Sequence, residues 1–253
     1  MGYAIFISLA LAACQVPPPA KPDKSLDPKD PGSVVQHAVF NTRSQKSYET
    51  RFKATLTAPG SDPIQYDGQS VWAAPSVLFI QYSASGGDHK KGVRAGAKDC
   101  WVWHTVAEEW VTAEEAGLSS FARGLQNPDE VLSVLARHTG GAKIAETGAV
   151  RITLSGNDIE QIMREQAQSG AFDWAKSTAA VVLRTDAENR LKQFTVEASL
   201  TSTDPNVKGE VKYAGQVDVV AYNGARTLKF TDEKNREIPL NKDIQTAIDR
   251  ETK

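Results

Sequence analysis

The chain has 253 residues, of which 40% are hydrophobic and 24% charged, and its formal net charge at neutral pH is −2. This length suffices for one sizeable core in one or two domains. Basic and acidic residues are interspersed without a basic patch, which argues against a nucleic-acid-binding protein. The two cysteines, Cys14 and Cys100, lie far apart, and Cys100 is expected to be a small buried hydrophobe.

The first residues, 1–13, are uncharged and apolar except for Ser8, and they end in Leu-Ala-Ala before Cys14. The segment is too short to span about 30 Å of hydrocarbon as a helix, but it suits the apolar region of a signal peptide. Its ending resembles the lipobox of bacterial lipoproteins, in which the cysteine sulfur takes a diacylglyceryl group and the chain is cut before it. The resemblance implies a signal peptide over 1–13 and a lipidated Cys14, with palmitate among its acyl chains. The alternative is an ordinary cleaved signal peptide with an incidental cysteine.

A proline-rich segment follows, and residues 14–32 are interpreted as the lipidated cysteine and a tether. Extended polyproline segments rise about 3.1 Å per residue and act as semi-rigid spacers. If the lipoprotein resemblance holds, the chain is anchored in the bacterial cell envelope through its N-terminal lipid. Gln15, rather than aspartate, follows the lipidated residue, and this implies the outer membrane, facing the periplasm, in a Gram-negative organism.

The folded region is predicted to begin at Ser33 with a helix and an alternating strand. Ser33 and Gln36 have the spacing of a capping box, which predicts a helix from Val34 to about Ser44. The segment from Tyr48 to Leu56 alternates between apolar and charged residues, as in a half-buried strand.

A hairpin is predicted from Ile64 to Tyr82, with its corner at Pro75, because proline suits a turn and not a central strand. The second arm starts with apolar residues on both faces, so both faces should be covered. Ser83 to Lys91 reads as a loop and Gly92 to Lys98 as a further strand. Three tryptophans then lie close together, and they indicate either a sheet whose aromatic face packs on a helix or the aromatic wall of an apolar cavity.

The remainder of the sequence predicts two capped helices, a strand meander and a last helix. Asn127 and Asn157 are helix caps. Two short strands are expected between Ile144 and Leu154, broken at Thr147-Gly148. Strands are expected at 179–185, 194–201 and 207–219, and Asn223-Gly224 is the preferred dipeptide of a hairpin turn, with Leu228 and Phe230 on its return strand. A short helix from Asn241 onward carries Ile244 and Ile248.

About ten antiparallel strands and about four helices predict an α+β fold. Its expected form is an open, strongly curved antiparallel sheet, a half-barrel, with short helices on the concave face.

This order of elements resembles the LolA/LolB lipoprotein-carrier superfamily, including LppX/LprG-type lipoproteins. The resemblance is carried by 48–56, by the block 68–82, by 94–103, and by the capped helix and closing meander. It implies a single LolA-like domain over 33–253, whose concave face, covered by helices, holds acyl chains. A lipid or acyl-chain ligand is therefore expected, and an envelope protein partner is a further expectation.

Eight large side chains are predicted to line the cavity. They are Phe52, Leu56, Trp72, Leu78, Ile80, Tyr82, Trp101 and Trp103. The first hypothesis is a membrane-anchored envelope lipoprotein that binds or transfers lipid or acylated lipoprotein. The second is a non-carrier sensor or scaffold whose half-barrel is filled by its own side chains.

No catalytic pattern is present in the sequence. Gly-x-Ser-x-Gly, His-Glu-x-x-His and Cys-x-x-Cys are all missing, and the four histidines show no ligand spacing. The acidic pairs Glu108-Glu109 and Glu114-Glu115 are expected in a solvated loop rather than in a carboxylate dyad. The sequence therefore predicts a protein that is not an enzyme and binds no metal, cofactor or nucleic acid.

Overall fold

The structure, a computed structural model, describes residues 21–22, 25–85, 88–96, 99–118, 121, 127–145, 149–163, 171–207 and 209–252. The predicted signal peptide, Cys14 and most of the tether lie outside these residues. No helix in the described part of the chain is long and apolar enough to cross a membrane.

Four α-helices and thirteen strands are found in the described residues. The helices are α1 (Pro31–Arg43), α2 (Pro128–Arg137), α3 (Asn157–Met163) and α4 (Lys242–Glu251). The strands are β1 (Ser47–Thr57), β2 (Ile64–Ala73), β3 (Val77–Ala84), β4 (Asp88–Ala95), β5 (Asp99–His104), β6 (Glu109–Thr112), β7 (Lys143–Ile144), β8 (Val150–Ser155), β9 (Thr178–Thr185), β10 (Leu191–Thr201), β11 (Glu210–Tyr222), β12 (Phe230–Thr231) and β13 (Glu237–Ile238).

Eleven strands form one antiparallel sheet in the order β6-β5-β4-β3-β2-β1-β11-β10-β9-β8-β7. The sheet is open, since β6 and β7 have no further strand beside them among the described residues. The first and second halves of the chain meet where β1 pairs with β11, with Phe52 opposite Val217. This confirms the predicted α+β fold with an open antiparallel sheet.

The two faces of the sheet carry two separate cores. We call the face that carries α1, α2 and α3 the inner face, and its apolar cluster the main core. It runs from Val102 in β5 to Ile152 in β8. We call the opposite face the outer face, where α4 and the β12–β13 hairpin cover a smaller core around Phe79 and Trp110. Three of the four helices therefore share one face of the sheet, and α4 lies on the other.

Local signals explain most of the elements. Asn127 caps α2, with its side chain accepting from the amide of Asp129, and Asn241 caps α4 by accepting from the amide of Ile244 at 2.9 Å. Pro75 follows a cis peptide bond in the turn between β2 and β3, where the sequence predicted a corner. The predicted last helix is present as α4, and its Ile244 and Ile248 are buried.

Helix α1 begins earlier than predicted, and the predicted capping box is wrong. Asp30 is the cap, accepting from the amide of Gly32 at 2.9 Å, and Pro31 occupies the first turn, where its fixed φ favours the helix. The hydroxyl of Ser33 instead accepts from the amide of Asp27 at 3.0 Å.

Two predictions about strands are also wrong. Ser83 to Lys91 is not one loop, because β3 continues to Ala84 and β4 begins at Asp88. Phe230 does not return along β11, because β11 already pairs with β1 on one side and β10 on the other. It pairs instead with Ile238 in the small hairpin on the outer face. Thr147-Gly148, the predicted break between β7 and β8, lies outside the described residues.

Candidate functional site

The main core lies between the inner face and helices α1 to α3. Val131, Leu132, Val134 and Leu135 of α2 are all completely buried in it, as are Ile80 of β3 and Phe194 of β10. Six of the eight residues predicted to contact a ligand belong to this face. They are Phe52, Leu56, Trp72, Leu78, Ile80 and Tyr82. All except the half-buried Leu56 are at most 7% exposed.

The other two predicted residues, Trp101 and Trp103, lie against the outer core. Trp103 packs edge-to-face on Trp110, with 5.6 Å between ring centroids, and the indole nitrogen of Trp110 donates to the carbonyl of Pro239 at 2.9 Å. The structure therefore does not bring these two tryptophans together with the six inner residues. The part that each of the eight plays in binding stays a prediction.

Two glycines make room for the aromatic rings of the main core. A Cβ atom on Gly68 would lie 2.5 Å from the ring of Phe52, and one on Gly92 would lie 2.0 Å from the ring of Phe121. Phe121 in turn stacks on Tyr82 with 6.2 Å between centroids. The ring of Phe52 thus packs against β2 at Gly68, and the ring of Phe121 packs against β4 at Gly92. A larger residue at either position would occupy the space of the ring.

Two ion pairs with little exposure hold the first turn of α2. Arg43, in the last turn of α1, lies 2.6 Å from Asp129, and the two side chains are 10% and 13% exposed. Arg94 of β4 lies 3.8 Å from Glu130, with similar burial. One pair joins α2 to α1, and the other joins α2 to the sheet, so these pairs fix where the helix lies over the main core.

Burial has shifted the protonation equilibria in this region. It raises the pKa of the Asp129 carboxyl above its ordinary value, and the opposing effect of Arg43 offsets only part of the shift. Burial also raises the pKa of Tyr48 well above its ordinary value. The Tyr48 hydroxyl is buried without a hydrogen-bond partner among the described residues, while its ring stacks on Trp72 at 4.9 Å.

The sequence did not reveal these buried charges. Asp129 and Glu130 stand in the first turn of a capped helix, where exposed acids also occur, so their position gives no sign that they are buried. Arg94 stands between Val93 and Ala95, and a cation inside an apolar strand was the one available signal. Its partner could not be found from sequence, because the pairing joins β4 to a helix far along the chain.

A groove of about 420 Å³ opens at the sheet edge formed by β4, β5 and β6; we call it the edge groove. Val102 of the main core lines it, together with Val111 and Leu118, which pack against that core. Lys90 and Glu115 also line it. The edge groove therefore connects the apolar main core with solvent, and its polar side chains can meet a charged group there.

A larger groove of about 770 Å³ lies on the outer face, between strands β1 to β4 and the turn of the β12–β13 hairpin; we call it the outer groove. Its sheet side includes Arg51, Gln69, Gln81 and Lys91. A third groove, of about 510 Å³, lies near Tyr222, whose ring receives the guanidinium of Arg190 at 4.2 Å. Burial raises the pKa of Tyr222 to about 12.

The described residues contain no group of three or more histidine, cysteine, aspartate or glutamate side chains placed to hold a metal ion. Glu115, from one of the acidic pairs, accepts from the amide and the hydroxyl of Thr112 at 2.9 and 2.7 Å in an exposed turn. These hydrogen bonds lower the pKa of the Glu115 carboxyl. Its role in the structure is to hold the turn after β6.

No protein-family model matches the chain, and no curated protein does. Several solved structures are distantly similar in fold. A LolA superfamily protein from Nitrosomonas europaea is 12% identical with a TM-score of 0.35, covering 78% of this chain and 94% of that one. A DUF1329 family protein from Desulfovibrio piger is 10% identical with a TM-score of 0.35, covering 79% and 95%. A proposed outer membrane lipoprotein-sorting protein domain from Vibrio parahaemolyticus is 6% identical with a TM-score of 0.36, covering 80% and 95%.

Proposed function

We propose that this domain binds the acyl chain of a lipid or of an acylated lipoprotein. The acyl chain enters through the edge groove. The observation that carries the proposal is the continuity between this groove and the main core at Val102, Val111 and Leu118. The proposed role requires no catalysis.

The dimensions and chemistry of the edge groove support such a ligand. Its volume of about 420 Å³ falls within the range of about 300–1,000 Å³ that is typical of small-molecule sites. Each methylene moved from water onto an apolar surface contributes about 0.8 kcal/mol, so even part of an acyl chain supplies appreciable binding energy.

Deeper entry would require the helices to move. Ile80 is completely buried and Leu78 is 2% exposed, so a ligand can reach them only if α2 shifts away from the sheet. The ion pairs of Arg43 with Asp129 and of Arg94 with Glu130 oppose that shift. The proposal therefore includes two levels of binding, a shallow one in the edge groove and a deeper one under α2.

Lipid extraction with native mass spectrometry tests the proposal on the domain produced without residues 1–24. The expected result is a co-purified lipid or uptake of a fluorescent fatty acid. Leu118→Glu should weaken the uptake at least tenfold, because it places a carboxylate in the groove. Val106→Glu is the matched control, since Val106 is 90% exposed in the neighbouring turn. Absence of lipid and of fatty-acid binding in the wild-type domain would refute the proposal, as would equal losses in the two variants.

We also propose that Cys14 anchors the chain in the envelope membrane, with the proline-rich segment as its tether. Two or more acyl chains give stable anchoring, whereas one chain gives only marginal binding. Radiolabelled palmitate should enter the wild-type protein and fail to enter Cys14→Ser. Fractionation of the envelope should place the wild-type protein in the outer membrane. Label that persists in Cys14→Ser would refute the anchor at this residue.

A non-carrier scaffold is the second candidate, and the packing of the inner face favours it. Five of the six predicted inner residues are already covered by the protein's own side chains, as a filled half-barrel requires. A scaffold would hold no lipid in any preparation and would yield a defined protein partner on crosslinking in cells. The lipid experiment above therefore separates the two candidates.

A further inference from the structure

The outer groove has a floor of two polar rows that cross four neighbouring strands. Arg51, Gln69, Gln81 and Lys91 are opposite one another in register on β1, β2, β3 and β4. Lys53, Asp67, Ser83 and His89 form the second row in the same way. Residues 231–233 and Asn235, in the turn of the β12–β13 hairpin, face these rows across the groove.

The first row is distinctive because its polar ends have no hydrogen-bond or ion-pair partner among the described residues. Several neighbouring polar side chains on the same face are paired. Lys53 lies 3.4 Å from Asp67, and the two carboxylate oxygens of Asp218 each accept from a glutamine amide at 2.7 Å. A line of four polar side chains without such partners thus crosses the groove beside the Lys53–Asp67 ion pair.

The charged groups that line the groove without an ion pair among the described residues are Arg51, Lys91 and Glu233, which together carry one net positive charge. Lys53 accompanies Asp67, and Arg236 lies 2.6 Å from Asp232 and, with its own backbone amide, holds the pKa of that carboxyl below its ordinary value. Arg51 lies opposite Asp218 in register but forms no ion pair with it, because the Asp218 carboxylate accepts from the amides of Gln193 and Gln216. Lys91 has no ion-pair partner among the described residues either, and it lies three strands away from Arg51. Three strand spacings of about 4.8 Å place them about 14 Å apart.

We infer that the outer groove binds an anionic saccharide, with carboxylate or phosphate groups at Arg51 and Lys91 and hydroxyl groups at Gln69 and Gln81. Arginine recognises carboxylate and phosphate through paired hydrogen bonds, and a glutamine amide both donates to and accepts from hydroxyl groups. The groove lies on the face of the sheet, where backbone groups are already bonded between strands, so a peptide finds no free strand edge there. The lining side chains include no apolar pocket for a peptide anchor, because Phe52 and Tyr82 point to the inner face.

Calorimetry on the full-length chain tests this inference, in a detergent that has no sugar headgroup. The probe is trigalacturonic acid, a carboxylated trisaccharide, with neutral maltotriose and tetraglutamate as comparisons. Wild-type protein should bind trigalacturonic acid with a Kd of about 1 mM or lower. Binding should weaken as salt is added, because exposed charges are screened.

The decisive variant is the double substitution Arg51→Ala with Lys91→Ala, which should weaken binding at least tenfold. The matched control is Arg184→Ala with Lys212→Ala, because both residues are exposed, belong to the same face and lie outside the groove. Thermal unfolding of both variants checks that they are folded.

Three results would each overturn the inference. One is no measurable binding of trigalacturonic acid by the wild-type chain. Another is an equal loss in the two double variants, which would mean that the groove is not the site. The third is binding of tetraglutamate or of maltotriose that is as tight as the binding of trigalacturonic acid. The groove would then recognise anions in general or sugars in general.

Discussion

Removing Arg43 should destabilise the domain mainly by leaving Asp129 buried without its cation. The two side chains are 10% and 13% exposed and lie 2.6 Å apart. Breaking a buried ion pair by removing one partner costs about 3–5 kcal/mol, and the slight exposure of this pair places Arg43→Met near the lower end, about 3 kcal/mol. For a domain of this size that loss lowers the Tm by about 6–12 °C.

Urea unfolding of Arg43→Met, Asp129→Asn and the double variant at neutral pH measures this effect. The double variant should recover part of the loss, because an amide without a cation costs less than a buried carboxylate. The control is Arg137→Met, which breaks a 2.9 Å pair with Asp158 in which the arginine is 52% exposed, and which should cost at most about 1 kcal/mol. Equal losses in Arg43→Met and Arg137→Met would show that burial does not set the energy of the first pair.

The pH dependence of the same variants gives a second measurement. Because the pKa of Asp129 is raised in the folded protein, the folded state binds a proton there more tightly than the unfolded state does. The stability that proton binding at Asp129 contributes therefore falls as the pH rises from the pKa of Asp129 in the unfolded protein through its higher pKa in the folded protein. Arg43→Met removes a group that lowers this pKa, so its deficit should be greatest near neutral pH and should shrink as the pH is lowered. A deficit that stays constant with pH would contradict this explanation.

Three further substitutions test the packing. Gly92→Ala should cost about 1–3 kcal/mol in urea unfolding, because the new methyl group meets the ring of Phe121, whereas Gly140→Ala, with open space around it, should be near neutral. Tyr48→Phe removes a buried hydroxyl that has no described partner, so its free energy of unfolding should stay equal or rise by up to about 1 kcal/mol; a clear loss would reveal a partner. Ile244→Ala should lower that free energy by about 2–4 kcal/mol if α4 is an integral part of the fold, and an unchanged value would show that it is not.

Elements with local chemical signals could be predicted from the sequence. The asparagine and proline at the start of α2, the proline corner between β2 and β3, and the alternation along β1 each specify their own conformation within a few residues. The cap of α1 was placed three residues too late, because Ser33 and Asp30 both have capping side chains and only the structure shows which one is used.

The arrangement of faces could not be predicted, since it depends on register between strands. Trp101 pairs with Val93, and Val93 pairs with Phe79, so the tryptophan shares a face with Phe79 and not with Ile80. A shift of one residue would have reversed this result, and no residue in β5 fixes the register by itself. The prediction for Phe230 was wrong for a similar reason, because β11 pairs with its neighbour β10 on one side and with β1, from far away in the sequence, on the other.

The junction between β1 and β11 has a consequence for how the protein is made. Thr50 faces Val219 across it, so this pairing must wait until β11 has been synthesised, long after β1. Until then β1 presents a bare row of backbone amides and carbonyls, a surface on which other chains can aggregate. Arg51 and Lys53 point outward from that strand, and like charges on neighbouring copies repel. Charged side chains on an unpaired strand disfavour pairing with other chains, so we expect these two cations to limit aggregation of the incomplete protein.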